Sequence, residues 1–527
     1  MMAASEILEQ KFIALTQLLQ QHAQTRPEAM AVLTEDESLT YRELDLLVDR
    51  VAASFQRDGL LPGEAIAICA GSCIAYLAIF FGALRAGLVV SPLAPGSTAD
   101  QLRAMLYDSR ARLLFLDAAV AEHLAAVAPS IRAGDDAGWP PWSARVSLDE
   151  SNCGVPFGQW LMPDSRTLRL HPVAAADPFN IIYSSGTTGA PKGIVQSHGM
   201  RWGTIRMIGA YEFDQHSVTL VSTPLYSNTT LVTVFPTIAL GGTIVLMAKF
   251  DATKLLNLAI SKRATHAMLV PVQYQRIMSA DAFEASTLSS FRMKFSTSAP
   301  FAAGLKADVL ARWPGGLVEF YGMTEGGGVC ALEAHRHPDK LGTVGRPVAG
   351  HDIRLIGDDL REVPPGEVGE VVGHSAAMMT GYHNHPEKTA EVEWFDPTGK
   401  RFIRTGDLGR FDPDGFLTLL DRKKDMIITG GFNVYPADIE TVLREHPLVL
   451  EAAVVGVPSR RWGETPVAFV VLKDGTRAQA EDLAAFVNAR VAKVQRPAAY
   501  EFVESLPRSG IGKVLKRELR ERPVRVE

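Results

Sequence analysis

The chain has 527 residues. A single hydrophobic core is usually built from fewer residues than this, so we expect two or more domains. Its 47% hydrophobic and 21% charged residues are typical of an ordinary soluble globular protein. A formal charge of −6 gives no general attraction to nucleic acid or to anionic membranes. An anionic substrate must therefore be held by local groups.

The N-terminal region reads as alternating helices and strands. Residues 15–58 predict a helix, a strand and a second helix, because apolar residues recur there at helical spacing. The longest apolar run, 75–84, is ended by Arg85 and is too short to cross a bilayer, so it predicts a buried helix. The start, MMAASEILEQKF, lacks a basic stretch followed by an apolar core, and we expect no targeting segment.

The cysteines are scattered along the chain at Cys69, Cys73, Cys153 and Cys330. The first two stand at a helical i,i+4 spacing and could hold a metal. However, their surroundings are apolar, and no second pair or histidine cluster accompanies them. Buried free thiols are the better interpretation, and reduced cysteines suit a cytoplasmic protein.

The later segments complete an α/β pattern. Residues 118–163 predict a helix followed by loops, strands and helices alternate from 179 to about 421, and a compact α+β tail follows. We therefore predict a large N-terminal domain over 1–423, with mostly parallel sheets flanked by helices. A small C-terminal domain over 424–527 completes the chain.

A glycine-rich motif, YSSGTTGAPKG at 183–193, follows a predicted strand. Backbone N–H groups and hydroxyls in such a loop can close on phosphate oxygens, and a lysine adds positive charge. A Walker A loop would need Gly-Lys followed by Ser or Thr, but here Pro191 precedes Lys192 and Gly193 follows it. An ordinary turn is the remaining alternative. The predicted phosphate-binding residues are Ser184, Ser185, Gly186, Thr187, Thr188, Gly189 and Lys192.

Further motifs in the same order resemble those of the adenylate-forming superfamily of acyl-CoA synthetases, firefly-type luciferases and nonribosomal peptide adenylation domains. They span nearly the whole chain: LTYREL at 39–44, FYGMTE at 320–325, RTGD at 404–407, DRKKD at 421–425 and PRSGIGK at 507–513. The resemblance implies that ATP, Mg²⁺ and coenzyme A are the cofactors.

The resemblance assigns catalytic roles at the phosphates. Thr187, Thr188 and Lys192 would hold the β and γ phosphates, since mobile donors and a cation can follow the departing pyrophosphate. A solvated surface lysine is the alternative for Lys192. Glu325 would bind Mg²⁺ through its carboxylate, although it could instead cap a helix after Thr324.

Other motif residues would surround the nucleoside. Tyr321, beside Gly322 and Met323, would stack on adenine unless it is a core tyrosine, and Thr324 would lie near the α-phosphate. A weaker match, Ser298, Ala299 and Pro300, resembles the adenine-side loop.

The ribose would be held by an ionised carboxylate. Asp407 would accept hydrogen bonds from both ribose hydroxyls, whereas Asp412 and Asp414 suit a solvated turn. Arg422 would reach the ribose or the α-phosphate, or would form an interdomain salt bridge.

The C-terminal motifs imply two half-reactions. Lys513, flanked by Gly510 and Gly512, would stabilise the charge that develops when a carboxylate attacks the α-phosphorus, although a solvated lysine is the alternative. Lys424 would be the hinge of a domain rotation. That rotation would present Gly430 and Gly431 to a pantetheine tunnel.

The acyl pocket departs from the family pattern. Many relatives have an aromatic residue followed by histidine where this chain has Tyr226, Ser227 and Asn228, so a histidine gate is in doubt. His198 is interpreted as structural. Gly322, Gly326 and Gly327 would also line the pocket. In the run Gly326–Gly328 the missing side chains would leave room for a bulky acid, or the glycines would merely shape a loop. No arginine suited to a second carboxylate is evident, which favours a monocarboxylic aromatic or fatty acid.

The predicted function is therefore an AMP-forming acyl-CoA synthetase. It would adenylate a carboxylic acid, release pyrophosphate and form a thioester with coenzyme A. An enzyme that loads a separate acyl carrier protein is one alternative, luciferase-type oxidation is another, and a nucleotide-binding regulator without catalysis is a third. We expect no nucleic-acid partner, because the chain lacks a basic stripe with aromatics, and a homodimer stays possible.

Overall fold

The computed structural model describes residues 3–127, 144–149, 151–166, 168–184, 191–423, 425–429, 432–459, 461–509 and 512–524. The helices are α1 Ala4–Glu9, α2 Leu15–Thr25, α3 Tyr41–Arg57, α4 Ile74–Arg85, α5 Ala99–Ser109, α6 Ala118–Val127, α7 Phe157–Trp160, α8 His198–Gly209, α9 Asn228–Ala239, α10 Ala252–Ser261, α11 Pro271–Met278, α12 Ala303–Arg312, α13 Pro386–Val392, α14 Pro436–Arg444, α15 Ala480–Asn488 and α16 Lys516–Arg520.

The strands alternate with these helices over most of the chain. They are β1 Met30–Leu33, β2 Ser38–Thr40, β3 Ala65–Cys69, β4 Val89–Pro92, β5 Leu113–Leu116, β6 Ala144–Ser147, β7 Val155–Pro156, β8 Pro178–Ser184, β9 Lys192–Ser197, β10 Val218–Val221, β11 Thr243–Leu246, β12 His266–Leu269, β13 Met293–Ser296, β14 Gly316–Met323, β15 Gly326–Glu333, β16 Arg346–Pro347, β17 Asp352–Ile356, β18 Gly369–His374, β19 Gly381–Tyr382, β20 Glu393–Phe395, β21 Arg401–Phe411, β22 Leu417–Arg422, β23 Ile427–Thr429, β24 Phe432–Val434, β25 Val449–Ser459, β26 Gly463–Leu472 and β27 Ala499–Phe502.

Two large sheets form the body of the molecule. One has the strand order β19-β9-β8-β4-β3-β5-β6-β7 and the other β16-β15-β14-β13-β12-β10-β11-β1-β2. Their central pairs are parallel, while β8–β9, β14–β15 and other pairs near the edges are antiparallel. This mixed, mostly parallel arrangement confirms the predicted α/β class.

Apolar helices lie between the two large sheets. The residues of α4 from Tyr76 to Arg85 are buried, and α9 is buried along most of its length. The largest core cluster joins these helices to both sheets, for example through Ile68 of β3 and Val221 of β10. The buried Arg85 that ends α4 is neutralised by Asp45 and Asp49 of α3, each at 2.6 Å. The predicted buried helix at 75–84 is therefore confirmed.

No helix in the described residues is long and apolar enough to span a membrane.

Two smaller sheets complete the chain. An antiparallel sheet has the order β17-β18-β21-β20, with β22 added on β21, and it lies beside β15. The last sheet, β24-β23-β26-β25 with β27 on β26, packs against α14 and α15. The last sheet and its helices form the small C-terminal α+β domain that the sequence predicts.

The segment 118–163 differs from its prediction. A helix, α6, is present as expected, but the loops after it include β6 and β7, which extend the first large sheet in parallel. Val146 of β6 is buried, whereas both residues of β7 are partly or fully exposed. Such short edge strands have little apolar alternation, so the sequence pattern did not reveal them.

Candidate active site

The strands β8 and β9 flank the predicted phosphate loop. Ser184, the last residue of β8, pairs with Lys192, the first residue of β9. The predicted site residues Ser185, Gly186, Thr187, Thr188 and Gly189 lie outside the described residues, as do Lys424, Gly430 and Gly431. The structure therefore locates the two ends of this loop and the groups around it.

Lys192 and Glu325 meet at a tyrosine that the motifs did not indicate. The ammonium of Lys192 lies 5.2 Å from the ring centre of Tyr382, within the range of a cation–π contact. The Tyr382 hydroxyl donates a hydrogen bond to Glu325 Oε1 at 2.8 Å. Burial and the neighbouring Glu325 carboxylate raise the pKa of Tyr382, so its hydroxyl stays protonated. Tyr382 is brought here because β19 pairs with β9, a long-range contact that no local motif shows.

Glu325 lies in a turn between two antiparallel strands, β14 and β15. No helix follows it, so the alternative of a helix cap is wrong. Among the described residues there is no group of three or more acidic, histidine or cysteine side chains that could hold a metal ion. A single carboxylate suits Mg²⁺, which commonly takes one or two protein ligands and completes its shell with phosphates and water. Glu325, with one oxygen bonded to Tyr382, fits that role.

A preassembled carboxylate occupies the predicted ribose position. Asp407 Oδ2 accepts a hydrogen bond from the Tyr321 hydroxyl at 2.8 Å, and Asp407 Oδ1 lies 3.0 Å from Arg422 Nε. Asp407 and Arg422 are directly paired on β21 and β22. Both oxygens thus have a protein partner, yet each keeps capacity for a further donor.

Arg422 pairs with Asp407 across adjacent strands of one sheet. With the predicted boundary at 423/424, this ion pair would lie within the large domain and would not join the two domains. Beside this pair, Thr405, Gly406, Arg422 and Lys423 line a cavity of about 380 Å³. A cavity of this size, at the lower end of the range for small-molecule sites, lies where the ribose motif predicts the nucleotide.

In the turn after Asp407, Asp414 is exposed, as predicted, whereas Asp412 is half-buried. Lys340 lies 2.8 Å from Asp412 and 2.5 Å from Asp414. Asp412 also accepts hydrogen bonds from the backbone of its own turn, which matches its predicted turn position. The lysine comes from 72 residues upstream, a distance at which sequence patterns carry no pairing information.

The adenine-side loop is joined to the pocket segment. Ser298 follows β13 with a φ of 78°, in the left-handed region, and Ala299 and Pro300 continue the bend. The Ser298 and Thr229 hydroxyls lie 2.6 Å apart. Ser227 caps α9, because its hydroxyl accepts a hydrogen bond from Thr229 N at 3.3 Å. The hydroxyl that stands in place of the family histidine therefore has a structural role.

Tyr226 and Asn228, which flank Ser227, are half-buried. Asn228 Oδ1 accepts a hydrogen bond from Arg201 Nη1 at 2.7 Å. Sequence reasoning missed Arg201, since an arginine within a helix reads as a surface residue. His198 begins α8 and packs edge-on against Phe179, and burial lowers its pKa to about 4.

The glycines after Glu325 serve close packing. Gly326, Gly327 and Gly328 all have positive φ angles. A β-carbon on Gly326 would lie 2.1 Å from the Ala377 carbonyl oxygen, and one on Gly328 would lie 2.4 Å from Ile353. The space that a side chain would need is thus filled by the Ala377 backbone at Gly326 and by Ile353 of β17 at Gly328. At these two positions the packing favours the loop-shaping alternative over the expectation that missing side chains open room for an acid.

The backbone of the FYGMTE motif, at 320–325, is bonded to a side chain of β9. Gln196 Nε2 donates a hydrogen bond to the Thr324 carbonyl oxygen at 2.6 Å. Met323 is half-buried, and Gly322 is exposed. The backbone around Thr324 is therefore fixed to the strand that starts at Lys192.

The C-terminal lysine loop contacts the large domain. A β-carbon on Gly512 would lie 3.3 Å from Val272 and 3.5 Å from Val270, at the start of α11. Arg508 donates to the Gly512 carbonyl oxygen at 2.6 Å and pairs with Glu451 at 2.7 Å. Gly512 itself has a φ of 79°. Lys513, the next residue, is half-buried, so it is not a fully solvated lysine.

Ion pairs near the predicted hinge join segments on its two sides. Lys516 lies 2.8 Å from Glu440 of α14 and 3.8 Å from Asp421 of β22. Asp421 also accepts a hydrogen bond from the backbone of Ala437 at 3.2 Å. Burial raises the pKa of Asp421 to about 6, while Lys516 opposes that rise. Arg520 and Asp425 form a further pair at 2.7 Å.

Comparison with known proteins gives consistent matches along the chain. Residues 19–383 match the family described as AMP-binding enzyme, and residues 438–513 match the AMP-binding enzyme C-terminal domain. The chain is 36% identical to a feruloyl-CoA synthase from Amycolatopsis sp over 508 residues, covering 95% of this chain and 97% of that protein. It is 34% identical to the fatty acid–[acyl-carrier-protein] ligase ScoC of Streptomyces coeruleorubidus, with 96% of each chain covered. Among solved structures, ATP-bound MatB from Rhodopseudomonas palustris superposes with a TM-score of 0.85 at 29% identity, covering 97% of this chain and 99% of that one.

Proposed function

Because this chain belongs to the AMP-binding enzyme family, within its adenylate-forming acid–CoA ligases, we propose that it activates an aromatic or fatty monocarboxylic acid. The acid would react with ATP to give an acyl-adenylate and pyrophosphate. The acyl group would then pass to the thiol of coenzyme A. The finer parts of this proposal are the acid, the acceptor thiol and the role of each residue.

One observation carries the proposal. The loop that holds Lys513 is docked through Gly512 on Val270 and Val272 of the large domain, the same domain that holds Glu325 and Asp407. A lysine delivered by a docked loop can stabilise charge that develops on the carboxylate and bridging oxygens during attack on the α-phosphorus. This arrangement supports an enzyme over a regulator that only binds nucleotide.

The remaining residues would bind and orient the nucleotide. Asp407, preset by Tyr321 and Arg422, would accept hydrogen bonds from the ribose hydroxyls. Glu325 would hold Mg²⁺, which would neutralise phosphate charge when bound. Lys192, at the end of the phosphate loop, would stabilise the departing pyrophosphate.

A monocarboxylic acid is supported by two considerations. The relatives named feruloyl-CoA synthase and fatty acid–[acyl-carrier-protein] ligase are named for an aromatic acid and for fatty acids, respectively. The half-buried Tyr226 would line an acyl pocket next to α9. Shape at this segment would then choose between the two classes.

Transfer to a carrier protein is a second candidate, and a specific observation favours it. ScoC, at 34% identity over nearly the full chain, is named for an acyl-carrier-protein acceptor. Both acceptors offer a thiol, so the adenylation site would be unchanged.

Pyrophosphate release tests the proposal. The protein is incubated with ATP, Mg²⁺ and aromatic, short, medium or long carboxylic acids, each with coenzyme A, with a phosphopantetheinylated carrier protein, or with neither. Acid-dependent release with formation of the acyl-CoA supports the first candidate, and transfer to the carrier alone supports the second. ATP binding without release for any acid would contradict both.

Two further proposals concern organisation. A boundary at 423/424 is supported by the end of β22 at Arg422 and the start of the last sheet at Ile427. A cytoplasmic location is supported by the four free cysteine thiols.

A further inference from the structure

Arg201 of α8 is a buried arginine without an ion pair in the described part of the chain. The residue is 2% exposed. Its Nε donates to Asn180 Oδ1 at 2.9 Å and its Nη1 to Asn228 Oδ1 at 2.7 Å, and both acceptors are neutral amides. Arg85, which is equally buried, has two aspartates at 2.6 Å. Arg201 therefore keeps a positive charge that no described protein carboxylate balances.

The surroundings stabilise this charge only partly. The guanidinium lies 5.8 Å from the ring centre of Phe179 and 5.4 Å from that of Phe235. Its Nη2 is buried without a hydrogen-bond partner among the described residues. Burial lowers the pKa of Arg201 to about 9, so the group is still charged at neutral pH. An unbalanced buried charge destabilises a fold unless another group balances it, which points to an anion nearby in the working state.

The contact with Asn228 directs this charge toward the site. Asn228 is the first residue of α9 and is half-buried. Because Arg201 occupies its Oδ1, the amide orientation is fixed and its two N–H donors turn away from the arginine. The N-terminus of α9 adds a positive partial charge at the same point. The Thr229–Ser298 contact, at 2.6 Å, sets this helix end beside the adenine-side loop.

The same network reaches the Glu325 turn. Asn180 Nδ2 donates to Gln196 Oε1 at 3.0 Å, and Gln196 donates to the Thr324 carbonyl oxygen at 2.6 Å. Asn180, Gln196 and Arg201 are all buried. A buried polar chain thus connects the start of α9 with the residue that precedes Glu325.

We propose that Asn228, backed by the charge of Arg201 and the N-terminus of α9, binds a carboxylate of the acid. Asn228 contacts the substrate, and Arg201 is a positioning residue that acts through it. This inference rests on the proposed function and names the group of the acid that the segment recognises. That group is the carboxylate to be adenylated.

The test compares Asn228→Ala, Arg201→Met and the double variant with wild type in acid-dependent pyrophosphate release. Arg206→Met is the matched control, because Arg206 lies on the same helix and donates to the Leu8 carbonyl oxygen at the surface. A hydrogen bond to a charged group is worth enough to raise the KM for the acid about tenfold in Asn228→Ala, with the KM for ATP unchanged. Since Arg201 acts through Asn228, adding Arg201→Met to Asn228→Ala should change the KM for the acid less than about twofold.

Matched pairs of acids, such as hexanoate with adipate, identify which carboxylate is bound. A rise in KM for both members of a pair supports a site for the reacting carboxylate, whereas a rise for the dicarboxylate alone would overturn the proposal. An unchanged KM for every acid in Asn228→Ala would overturn the proposal. So would a loss of kcat in Arg201→Met that leaves both KM values unchanged, because a purely structural arginine predicts that result.

Failure of the proposed function gives a different result, since wild type would then release no pyrophosphate with any acid. Arg201→Met removes a buried charge and can alter folding, so its melting temperature is measured alongside. Asn228→Ala changes a half-buried side chain and keeps the test decisive if Arg201→Met does not fold.

Discussion

The ribose end of the site and the lysine loop are built in opposite ways. Asp407 is fixed within one sheet by Tyr321 and by Arg422 on the adjacent strand. Lys513 stands on a loop that touches the large domain through Gly512 and is braced by Arg508 and Glu451 of its own domain. We infer that the proposed nucleotide half is formed by folding, whereas the proposed catalytic half is formed by docking.

Removing a buried ion pair next to the strand that carries Tyr321 should have the largest effect on stability. Lys306 of α12 forms a buried ion pair with Glu319 of β14, the strand that carries Tyr321. In Lys306→Met the Glu319 carboxylate is left buried and unpaired, which should lower the free energy of unfolding by about 3–5 kcal/mol. Urea unfolding measures this loss, and Lys473→Met, at an exposed site, is the control.

The same variant gives a pH dependence with a defined sign. Burial raises the pKa of Glu319 from 4.5 to about 6. A carboxyl whose folded pKa is raised contributes stability below its unfolded pKa, and this contribution is lost as pH rises through the folded value. Without Lys306 the ionised form of Glu319 is less stable in the folded protein. The loss of unfolding free energy in Lys306→Met should therefore be larger at pH 8 than at pH 5. An equal deficit at both values would contradict the ion pair.

Removing the docked lysine should abolish chemistry without disturbing the nucleotide half. We expect Lys513→Ala to slow acid-dependent pyrophosphate release by about 10²–10³-fold, as for other groups that stabilise transition-state charge. ATP affinity, measured by calorimetry, should stay within about twofold of wild type, because in the proposed function Lys513 acts mainly in the transition state. Lys473→Ala is the matched control. A large loss of ATP affinity would show that Lys513 belongs to the preformed half.

Asp407→Asn tests the preformed half directly. The amide presents one acceptor where the carboxylate presents two, and it no longer attracts Arg422. We expect the KM for ATP to rise about tenfold, the amount typical of a lost charged hydrogen bond, with a smaller change in kcat. Asp474→Asn, an exposed residue, is the control. A selective fall in kcat would instead assign Asp407 to the chemical step.

The ion pairs around Lys516 should have the smallest effect. If Asp421 helps to keep the lysine loop docked, Asp421→Asn should slow adenylation about threefold and leave thioester formation from a supplied acyl-adenylate unchanged, because the Asp421–Lys516 contact is long, at 3.8 Å, and Lys516 keeps its closer partner Glu440 at 2.8 Å. In wild type, protonation of Asp421 as pH falls through about 6 should produce the same slowing. The variant should lack this pH step, and single-turnover kinetics between pH 5 and 8 would detect it.

The sequence predicted what depends on local patterns. The α/β class, the helix at 75–84 and the turn at Asp412 follow from periodicity and from turn residues, and the structure bears them out. Tyr382 and Arg201 were not foreseen, because each acts through a partner far away in the chain: Glu325 for Tyr382, and Asn180 and Asn228 for Arg201. The roles given to the site residues all stay predictions, including those of Lys513, Glu325 and Asp407. Thr187, Thr188, Lys424, Gly430 and Gly431 also lie outside the described part of the chain.

The glycine run at 326–328 has a consequence for anyone who would redesign the acid preference. A β-carbon would overlap the Ala377 carbonyl oxygen at Gly326 and Ile353 at Gly328, and all three glycines have positive φ angles, so a single methyl group strains each position. A mutant library that varies these positions would mostly sample misfolded proteins. Diversity is better directed to Tyr226, whose side chain is half-buried and is proposed to line the acyl pocket.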